Sequence, residues 1–317
     1  MARLTRSQAQ LLLHNKFVVI LGDSIQRTVY KDLVLFLQTD HCLTNAQLRS
    51  KGDESFAGDV LVEGGKMSNG TEYREARQFH GPAHLLRFYF ITRVYSAYME
   101  SVLADFQAEL QPDILIVNSC VWDISRYGSN AIWEYRQNLR RFFSRLNEVL
   151  LPECLVIWNM AMPLGDKLKG GFLIPELQHL DATLRCDVIE ANFYSAVLAD
   201  AHGFDVLDLH YRFRFQLQHR AQDGIHWNHL VHRCITRMLL LHIADAWGVA
   251  LSDGPLHVGP VPCARDVNRL RGFEAQFGRP VDAHWGPAGN DLVMRHRQTR
   301  NWILAPYGRP CYRPGPC

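Results

Sequence analysis

The sequence lacks the defining features of several large protein classes. No stretch reaches the roughly 18 consecutive apolar residues that a membrane-spanning helix needs. The N-terminus has neither the apolar segment nor the small-residue cleavage site of a secretory signal peptide, so we expect an intracellular, cytoplasmic protein. The eight cysteines form no CxxC pair in a chain of 317 residues, which does not indicate a disulfide framework. What remains is the composition of a globular protein, with 47% hydrophobic and 21% charged residues.

Lysine is missing from the C-terminal segment. From Leu251 onward there are nine arginines and five acidic residues, so this segment carries +4, while the whole chain carries +2. The same segment holds eight glycines and nine prolines without helical or strand periodicity, which is typical of an extended tail. We therefore predict one domain over residues 1–250 and a flexible tail over residues 251–317. No groove-reading motif or aromatic stacking module accompanies the arginines, which argues against a nucleic-acid partner and favours a solvated or protein-binding tail.

Short apolar runs alternate with amphipathic segments along the predicted domain. Four continuous runs rich in Val, Ile and Leu predict buried strands at Phe17–Leu21, Ile114–Asn118, Leu155–Met162 and Phe204–Leu209. Helical patterns are predicted at Ile91–Leu110, Trp133–Leu151, Cys186–His202 and His229–Trp247. Such alternation predicts an α/β protein, a three-layer α/β/α sandwich with a mainly parallel sheet. A less regular stretch with further strands at Glu72–Phe79 and Leu85–Ile91 is interpreted as a β-rich excursion within this domain.

Polar residues follow the predicted strands where ligands of an open parallel sheet bind. Ser24 comes just after the first strand, in the sequence FVVILGDSIQR, and Asp223 and His226 lie in a loop after the last strand. A serine hydroxyl becomes a nucleophile when a base takes its proton, and imidazole needs an acceptor that fixes its tautomer. The three-residue spacing lets one loop hold the carboxylate and the imidazole together. No GxSxG occurs, so the α/β-hydrolase elbow does not apply.

Other assignments of these polar residues stay open at this point. Ser24 could serve only as the N-cap of the following helix. Asp208 and His210 form a rival acid–base pair, because an i, i+2 spacing in a strand directs both side chains to one face. His226 is followed by His229 and His232, but this spacing spreads the rings around a helix and lacks the HExxH pattern, so we predict neither a metal nor a cofactor.

Several segments together resemble a known family. GDS after an apolar strand and DxxH near the end of the domain are similar to the motifs of the GDSL/SGNH esterase superfamily. The longer segments GDSIQR, VNSCVWDISRYG, NMAMPLG and DGIHW resemble the PC-esterase domain-containing proteins, which are related to the trichome-birefringence-like and Cas-type polysaccharide O-acetyltransferases. The resemblance covers about residues 10–250. It implies an SGNH-hydrolase or flavodoxin-like fold and an esterase or acyl-transferring activity on an acylated small molecule or a glycan.

The resemblance also implies roles for individual residues. Ser24 would be the nucleophile, His226 the general base and Asp223 its orienting partner. An oxyanion hole would use the Ser24 N–H, a loop glycine and an asparagine. Gly65, with Gly64 as its neighbour, and Asn118 are the candidates for the last two.

The chain departs from the family pattern in the third strand region. GxND would align with residues 120–123, so that Cys120 replaces glycine and Trp122 replaces the oxyanion-binding asparagine. We interpret Asp123 as a structural cap, with a substrate contact as the alternative, and Cys120 as a buried small residue rather than a nucleophile. Arg27, one turn after Ser24, is a candidate oxyanion or acidic-substrate ligand, with a surface salt bridge as the alternative. The departures leave a second hypothesis open, in which the chain is a catalytically degenerate binding or scaffold module.

Overall fold

The computed structural model contains one mixed β-sheet in the part of the chain that it describes. The described residues are 4–51, 53–64, 68, 70–108, 110–169, 173 and 175–251. The strands are β1 (Lys16–Gly22), β2 (Val60–Gly64), β3 (Glu75–His80), β4 (His84–Phe90), β5 (Ile114–Val117), β6 (Leu155–Asn159) and β7 (Asp205–Leu207). The predicted tail lies outside the described residues from residue 252 onward, so the division at residue 250 stays a prediction.

Helices lie between the strands and at both ends of the domain. They are α1 (Arg6–Leu12), α2 (Ser24–Gln38), α3 (Asn45–Arg49), α4 (Ala97–Ala108), α5 (Val121–Arg126), α6 (Ala131–Val149), α7 (Leu184–Ala201), α8 (Leu209–Phe213) and α9 (His229–Ala246). In the described ranges, 3₁₀ segments lie at Pro175–Ala182 and Leu217–His219. No helix among the described residues is both long and apolar enough to cross a membrane.

The strand order across the sheet is β2-β3-β4-β1-β5-β6-β7. Strands β4, β1, β5, β6 and β7 run parallel, while β2 and β3 are antiparallel additions at one edge. The sheet therefore confirms the predicted, mainly parallel topology. The predicted excursion is not separate from this sheet, because β4 pairs directly with β1 along its whole length.

Strand β1 is central and its side chains enter two separate cores. Val18 and Ile20 pack in the core beneath helices α1, α2 and α9. Phe17, Val19 and Leu21 point to the other face, where helices α4 to α7 supply the partners. A strand covered on both faces reads as a continuous apolar run, as this one does. The two cores confirm the three-layer α/β/α arrangement.

Helix α2 is enclosed on both sides, and two of its buried charged residues bind polar partners there. Asp32 accepts hydrogen bonds from Arg233 Nε at 2.9 Å and from Thr236 Oγ1 at 2.7 Å, both on α9. Lys31 points the other way and donates to the carbonyl oxygen and the hydroxyl of Ser50, each at 2.8 Å. Buried charges are costly unless they are paired in this way. These contacts fix the helix that begins at Ser24.

Some predicted boundaries are wrong for local reasons. The predicted helix over Ile91–Leu110 begins too early, since α4 starts at Ala97. The preceding residues form a turn whose Val94 N–H binds Asp123. Strand β2 was not predicted, because Val60–Gly64 is an exposed edge strand without a clear apolar alternation.

Candidate active site

The residue that caps helix α2 is Asp23, one residue before Ser24. Asp23 Oδ1 accepts a hydrogen bond from the Ile25 N–H at 2.8 Å, and the helix begins at Ser24. The interpretation of Ser24 as the N-cap is therefore wrong, because a carboxylate already satisfies the first turn. The Ser24 hydroxyl is left for another partner.

Gly22 allows the turn before Ser24 to pack closely on its surroundings. A Cβ atom at this position would lie 2.3 Å from Gln26 Cγ and 3.0 Å from the Asn118 carbonyl oxygen. Only glycine leaves room for such an approach. The turn that carries Ser24 is consequently held against the end of the neighbouring strand β5.

Ser24, His226 and Asp223 form a hydrogen-bonded chain. Ser24 Oγ lies 2.7 Å from His226 Nε2, and His226 Nδ1 lies 2.7 Å from Asp223 Oδ2. Because the carboxylate can only accept, the ring carries its hydrogen on Nδ1 and leaves Nε2 to accept the serine proton. This is the arrangement in which an imidazole can act as a general base toward a hydroxyl.

The environment of Asp223 keeps its side chain ionised. Partial burial raises the pKa of Asp223, but hydrogen bonds from the His226 ring and from two backbone N–H groups outweigh it and hold that pKa below its usual range. The backbone donors are the Ile225 N–H at 2.9 Å and the His226 N–H at 3.0 Å. A fixed carboxylate at this place both orients the imidazole and stabilises its positive charge.

The loop that carries Asp223 and His226 is braced by the segment after β6. The Gly165 N–H donates to the Gly224 carbonyl oxygen at 2.7 Å, and the Lys169 N–H donates to the Asp223 carbonyl oxygen at 2.9 Å. Gly224 has a φ of +83°, and a Cβ there would lie 2.7 Å from the Lys167 carbonyl oxygen. Sequence reasoning did not identify this contact, although the glycine in DGIH and the one that ends NMAMPLG are the residues that make it.

The candidate oxyanion donors are less well matched to their predicted role. Asn118 is buried, and its Nδ2 donates to the Asn159 carbonyl oxygen at 2.7 Å, so one of its two amide hydrogens is already used. Gly65 lies outside the described residues. Its neighbour Gly64 is the last residue of β2, at the far edge of the sheet from β1. Both remain predictions.

Cys120 and Trp122 form part of the wall beside the Ser24 turn. Trp122 is buried and packs edge-to-face on Phe90, with ring centroids 5.9 Å apart. Burial, with the charges of Asp123 and Asp23, raises the pKa of the Cys120 thiol well above its usual value. Such a thiol stays protonated at neutral pH, so the interpretation of Cys120 as a buried small residue fits its surroundings better than a nucleophile does.

Arg27 is buried rather than exposed, so the alternative of a surface salt bridge is wrong. Its Nε lies 3.1 Å from Glu75 Oε2, with side-chain exposures of 4% and 1%. The guanidinium also lies 4.9 Å from the centre of the Phe90 ring. The charge of Arg27 is thus balanced by a carboxylate from β3. No observed contact joins it to the Ser24 hydroxyl, and its role as an oxyanion or substrate ligand stays a prediction.

Asp208 and His210 do not form an acid–base pair. Asp208 caps helix α8 by accepting a hydrogen bond from the Tyr211 N–H at 2.8 Å. His210 Nδ1 instead lies 3.1 Å from both the Ala161 carbonyl oxygen and Asn192 Nδ2. The strand ends at Leu207, so the two residues lack the strand geometry that would align them.

His226 and His229 lie close enough to His232 for their charges to affect it, but the three side chains are not arranged as metal ligands. Over the described part of the chain, no group of three or more His, Cys, Asp or Glu side chains is arranged to hold a metal ion. His229 and His232 belong to helix α9, whereas His226 precedes it in the loop.

Comparison with known proteins gives the relationship of the chain. It is 58% identical over 256 residues to PC-esterase domain-containing protein 1A of Homo sapiens, covering 79% of this chain and 56% of that protein. The human PC-esterase domain-containing protein 1B is 53% identical over 256 residues, covering 79% of this chain and 59% of that protein. The chain belongs to the PC-esterase domain-containing protein family. It spans a little more than half the length of these family members.

Other comparisons add little to the family relationship. No protein-family model matches the chain. The solved structure of the acetyl xylan esterase AlAXEase is 16% identical with a TM-score of 0.42, covering 71% of this chain and 98% of that one. A likeness at this level carries no conclusion about activity.

Proposed function

We propose that this PC-esterase domain acts as a serine esterase or acyl-transferring enzyme. The observation that carries the proposal is the Ser24–His226–Asp223 chain, with both hydrogen bonds at 2.7 Å. The names of the family members, which include the word esterase, support the same reaction class. An acylated small molecule or glycan is the substrate class that we expect.

The proposed reaction proceeds through an acyl-Ser24 intermediate. His226 Nε2 takes the hydroxyl proton as Ser24 Oγ attacks the acyl carbonyl carbon, and Asp223 stabilises the resulting imidazolium. The imidazolium then protonates the departing alkoxide, which leaves as an alcohol. In the second half-reaction His226 takes a proton from water or from an acceptor hydroxyl, which attacks the acyl carbon. The bond to Ser24 Oγ then breaks, and the imidazolium returns its proton to that oxygen. The choice between these two acceptors separates a hydrolase from a transferase.

An active-site-directed fluorophosphonate probe tests the proposal directly. We expect stoichiometric labelling of the wild-type chain at Ser24, located by mass spectrometry of the modified peptide. Ser24→Ala should abolish labelling, and His226→Ala should slow it strongly. Ser144→Ala, at an exposed serine on α6, is the matched control and should label normally. Folded wild-type protein that never labels, or labelling that survives in Ser24→Ala, would contradict the proposal.

The alternative is a degenerate module that retains the fold without the reaction. It is favoured by the wall beside Ser24, where Trp122 replaces the expected asparagine and one Asn118 amide hydrogen binds Asn159. Loss of a single oxyanion donor typically lowers kcat about 10² to 10³-fold. Measurable turnover of p-nitrophenyl acetate that depends on Ser24 would exclude this alternative, while binding of an acylated ligand without turnover would support it.

A further inference from the structure

Asp123 is a buried carboxyl group that the proposed reaction does not use. It lies in helix α5 next to Trp122 and is 2% exposed. Its Oδ1 accepts a hydrogen bond from the Val94 N–H at 3.0 Å, and its Oδ2 lies 3.2 Å from the same nitrogen. The Ser119 hydroxyl donates a second bond to Oδ2. Asp123 therefore links two separate segments of the chain.

These two segments lie on opposite sides of the turn that carries Ser24. Val94 follows strand β4 and Ser119 follows strand β5, and these strands pair with β1 from either side. The backbone beside each segment is also bound to β1. The Ile91 N–H donates to the Gly22 carbonyl oxygen and the Asn118 N–H donates to the Leu21 carbonyl oxygen, each at 3.0 Å. Asp123 thus connects both neighbours of β1 at its carboxyl end.

The segment over residues 118–123 also approaches the Ser24 turn itself. The Asn118 carbonyl oxygen lies 3.0 Å from the position that a Gly22 Cβ would take. The Cys120 thiol is close enough to both Asp123 and Asp23 that each carboxylate raises its pKa. Asp23 immediately precedes Ser24. A shift of this segment would therefore change the space in which an acyl group on Ser24 has to fit.

We propose that Asp123 is a positioning residue for the acyl transfer at Ser24. Its ionised carboxylate holds residues 91–94 and 118–123 together as the wall of the site, and its protonation loosens that wall. The proposal rests on the proposed function, since it concerns the reaction of Ser24. It adds a second ionisable group, besides His226, on which the reaction depends.

The chemistry of the carboxyl group explains why protonation matters. An ionised carboxylate offers both oxygens as acceptors, whereas a neutral carboxyl turns one of them into a donor. The Val94 N–H, which lies within 3.2 Å of both oxygens of the carboxylate, then keeps a strong acceptor on one side only, and the Ser119 hydroxyl has to share that oxygen or reverse its bond. Burial raises the pKa of Asp123 to about 7, although its bonds from Ser119 and Val94 and the charge of Arg93 oppose the rise. The change between the two forms falls near neutral pH.

Other ionisable side chains also surround Asp123. Arg93, from the segment after β4, is a cation that pairs with Glu134. Cys120, Tyr127 and Tyr135 all feel the negative charge of Asp123, and burial raises each pKa above its usual value. These three groups stay neutral between pH 5 and about 8.

The pH dependence of ester hydrolysis tests the proposal. With p-nitrophenyl acetate as the probe, log kcat/KM of the wild-type chain should show an acid-side ionisation with a midpoint near pH 7 that reports Asp123. Asp123→Asn should lack this ionisation and lower kcat at pH 8 at least tenfold, since its amide offers one acceptor oxygen where the carboxylate offers two. A profile of Asp123→Asn that superimposes on the wild type would overturn the proposal.

A matched control lies at the opposite end of the sheet. Asp113 precedes β5 and accepts a hydrogen bond from the Phe17 N–H at 2.8 Å, so it also joins two segments through a backbone donor. Asp113→Asn should keep the ionisation near pH 7. If it also loses that ionisation, loss of a segment-joining carboxylate anywhere in the sheet would explain the effect, and the proposal for Asp123 fails.

A spectroscopic measurement separates this proposal from the proposed function. In protein labelled with 5-fluorotryptophan, the ¹⁹F resonance of Trp122, assigned with Trp122→Phe, should shift with a midpoint near pH 7 and should not shift in Asp123→Asn. If the Trp122 resonance shifts with pH in a chain that hydrolyses no ester, the catalytic function is refuted, while the role of Asp123 in holding residues 91–94 and 118–123 together is supported. If the enzyme is active but its Trp122 resonance does not shift with pH, the proposed role of Asp123 in holding residues 91–94 and 118–123 together is refuted.

Ser119→Ala provides a second variant in case Asp123→Asn does not fold. It removes one donor and retains the carboxylate. Because the bond from Ser119 lowers the pKa of Asp123, its loss should move both the Trp122 midpoint and the acid limb of activity to higher pH. Unchanged midpoints in this variant would contradict the proposal.

Discussion

The two sides of the candidate site are built in different ways. On one side, a strand, a tight turn and a single loop present Ser24, Asp223 and His226 with two hydrogen bonds of 2.7 Å. On the other side, Asp123 and Arg27 are buried and bound to residues from strands and turns distant in sequence. The difference indicates that the proton-transfer groups are set by local chain geometry. The surroundings of the reacting carbonyl depend on tertiary contacts.

The largest expected effect separates catalysis from stability on the first side. His226→Ala should lower kcat for p-nitrophenyl acetate by at least about 10⁴-fold, because it removes the base of a group that acts as a unit. The melting temperature should change little, since the His226 side chain is 40% exposed. His14→Ala, at an exposed histidine after α1, is the control for both readouts. Retained turnover in His226→Ala would remove the basis for distinguishing the two sides.

The second prediction concerns stability on the wall side. Glu75→Gln should lower the free energy of unfolding by about 3–5 kcal/mol, because it leaves the buried Arg27 and Arg77 without their shared carboxylate. Glu63→Gln removes an exposed pair with Arg74 and leaves the Tyr98 hydroxyl an amide oxygen to bind, so it should cost less than about 1 kcal/mol. Urea unfolding of both variants gives the comparison. Equal losses of unfolding free energy in the two variants would show that the buried ion pairs of Glu75 stabilise the domain no more than the exposed pair of Glu63 does.

The third prediction concerns the pH dependence of stability that arises from the buried residue His232. Burial, with smaller contributions from the charges of His226 and His229, lowers the pKa of His232 to about 3. The unfolded chain binds this proton near pH 6.5 and the folded chain only near pH 3, so the free energy of unfolding falls as pH drops between these values. At pH 5 the loss from this group is about 2 kcal/mol.

Urea unfolding of His232→Leu at pH 7.5 and pH 5 checks this value. The loss of stability between the two pH values should be smaller than in the wild type by about 2 kcal/mol. His14→Leu should not alter the pH dependence, since this side chain is exposed. An equal pH dependence in His232→Leu and the wild type would be evidence against the assignment.

The smallest expected effect tests how the loop is braced. Gly224 and Gly128 both have positive φ, at +83° and +90°, but only Gly224 has a neighbour that a Cβ would meet. Gly128→Ala should cost about 1 kcal/mol from backbone strain alone. Gly224→Ala should cost about 1–2 kcal/mol more and lower kcat, because the loop has to move away from Lys167. Thermal melts measure the stability of the two variants and initial rates measure their kcat. Equal values for Gly224→Ala and Gly128→Ala would mean that the contact with the segment after β6 does not support the loop.

Local sequence patterns predicted where the residues of the first side lie. The run before Gly22 identified β1, and the three-residue spacing of Asp223 and His226 placed both side chains in one loop, as the structure shows. The assignment of the cap failed by one residue, since both Asp23 and Ser24 favour that position and only the structure distinguishes them. Predictions of this kind succeed because the interacting groups lie within one turn or one strand.

The second side could not be predicted for an equally physical reason. A surface salt bridge stood as the alternative for Arg27 because its partner Glu75 lies on β3, and nothing in sequence indicates that a β3 side chain reaches α2. Helix α5 has only six residues, too few to show periodicity, so the bond from Val94 to Asp123 was also not foreseen. Contacts between elements dozens of residues apart require the strand order, which single-sequence patterns do not contain.

The enclosure of helix α2 also bears on how a substrate enters. Its residues from Ile25 to Val34 are all buried, with α9 on one side and the residues around Ser50 on the other. A helix without a free face cannot rotate or slide without opening the core that it shares with α1 and α9 and breaking its buried polar contacts. Ser24 is therefore the stationary point of the site, and any opening that admits an acyl donor has to come from the segments around it. Amide hydrogens in the middle of α2 should accordingly exchange with solvent only when the whole domain unfolds.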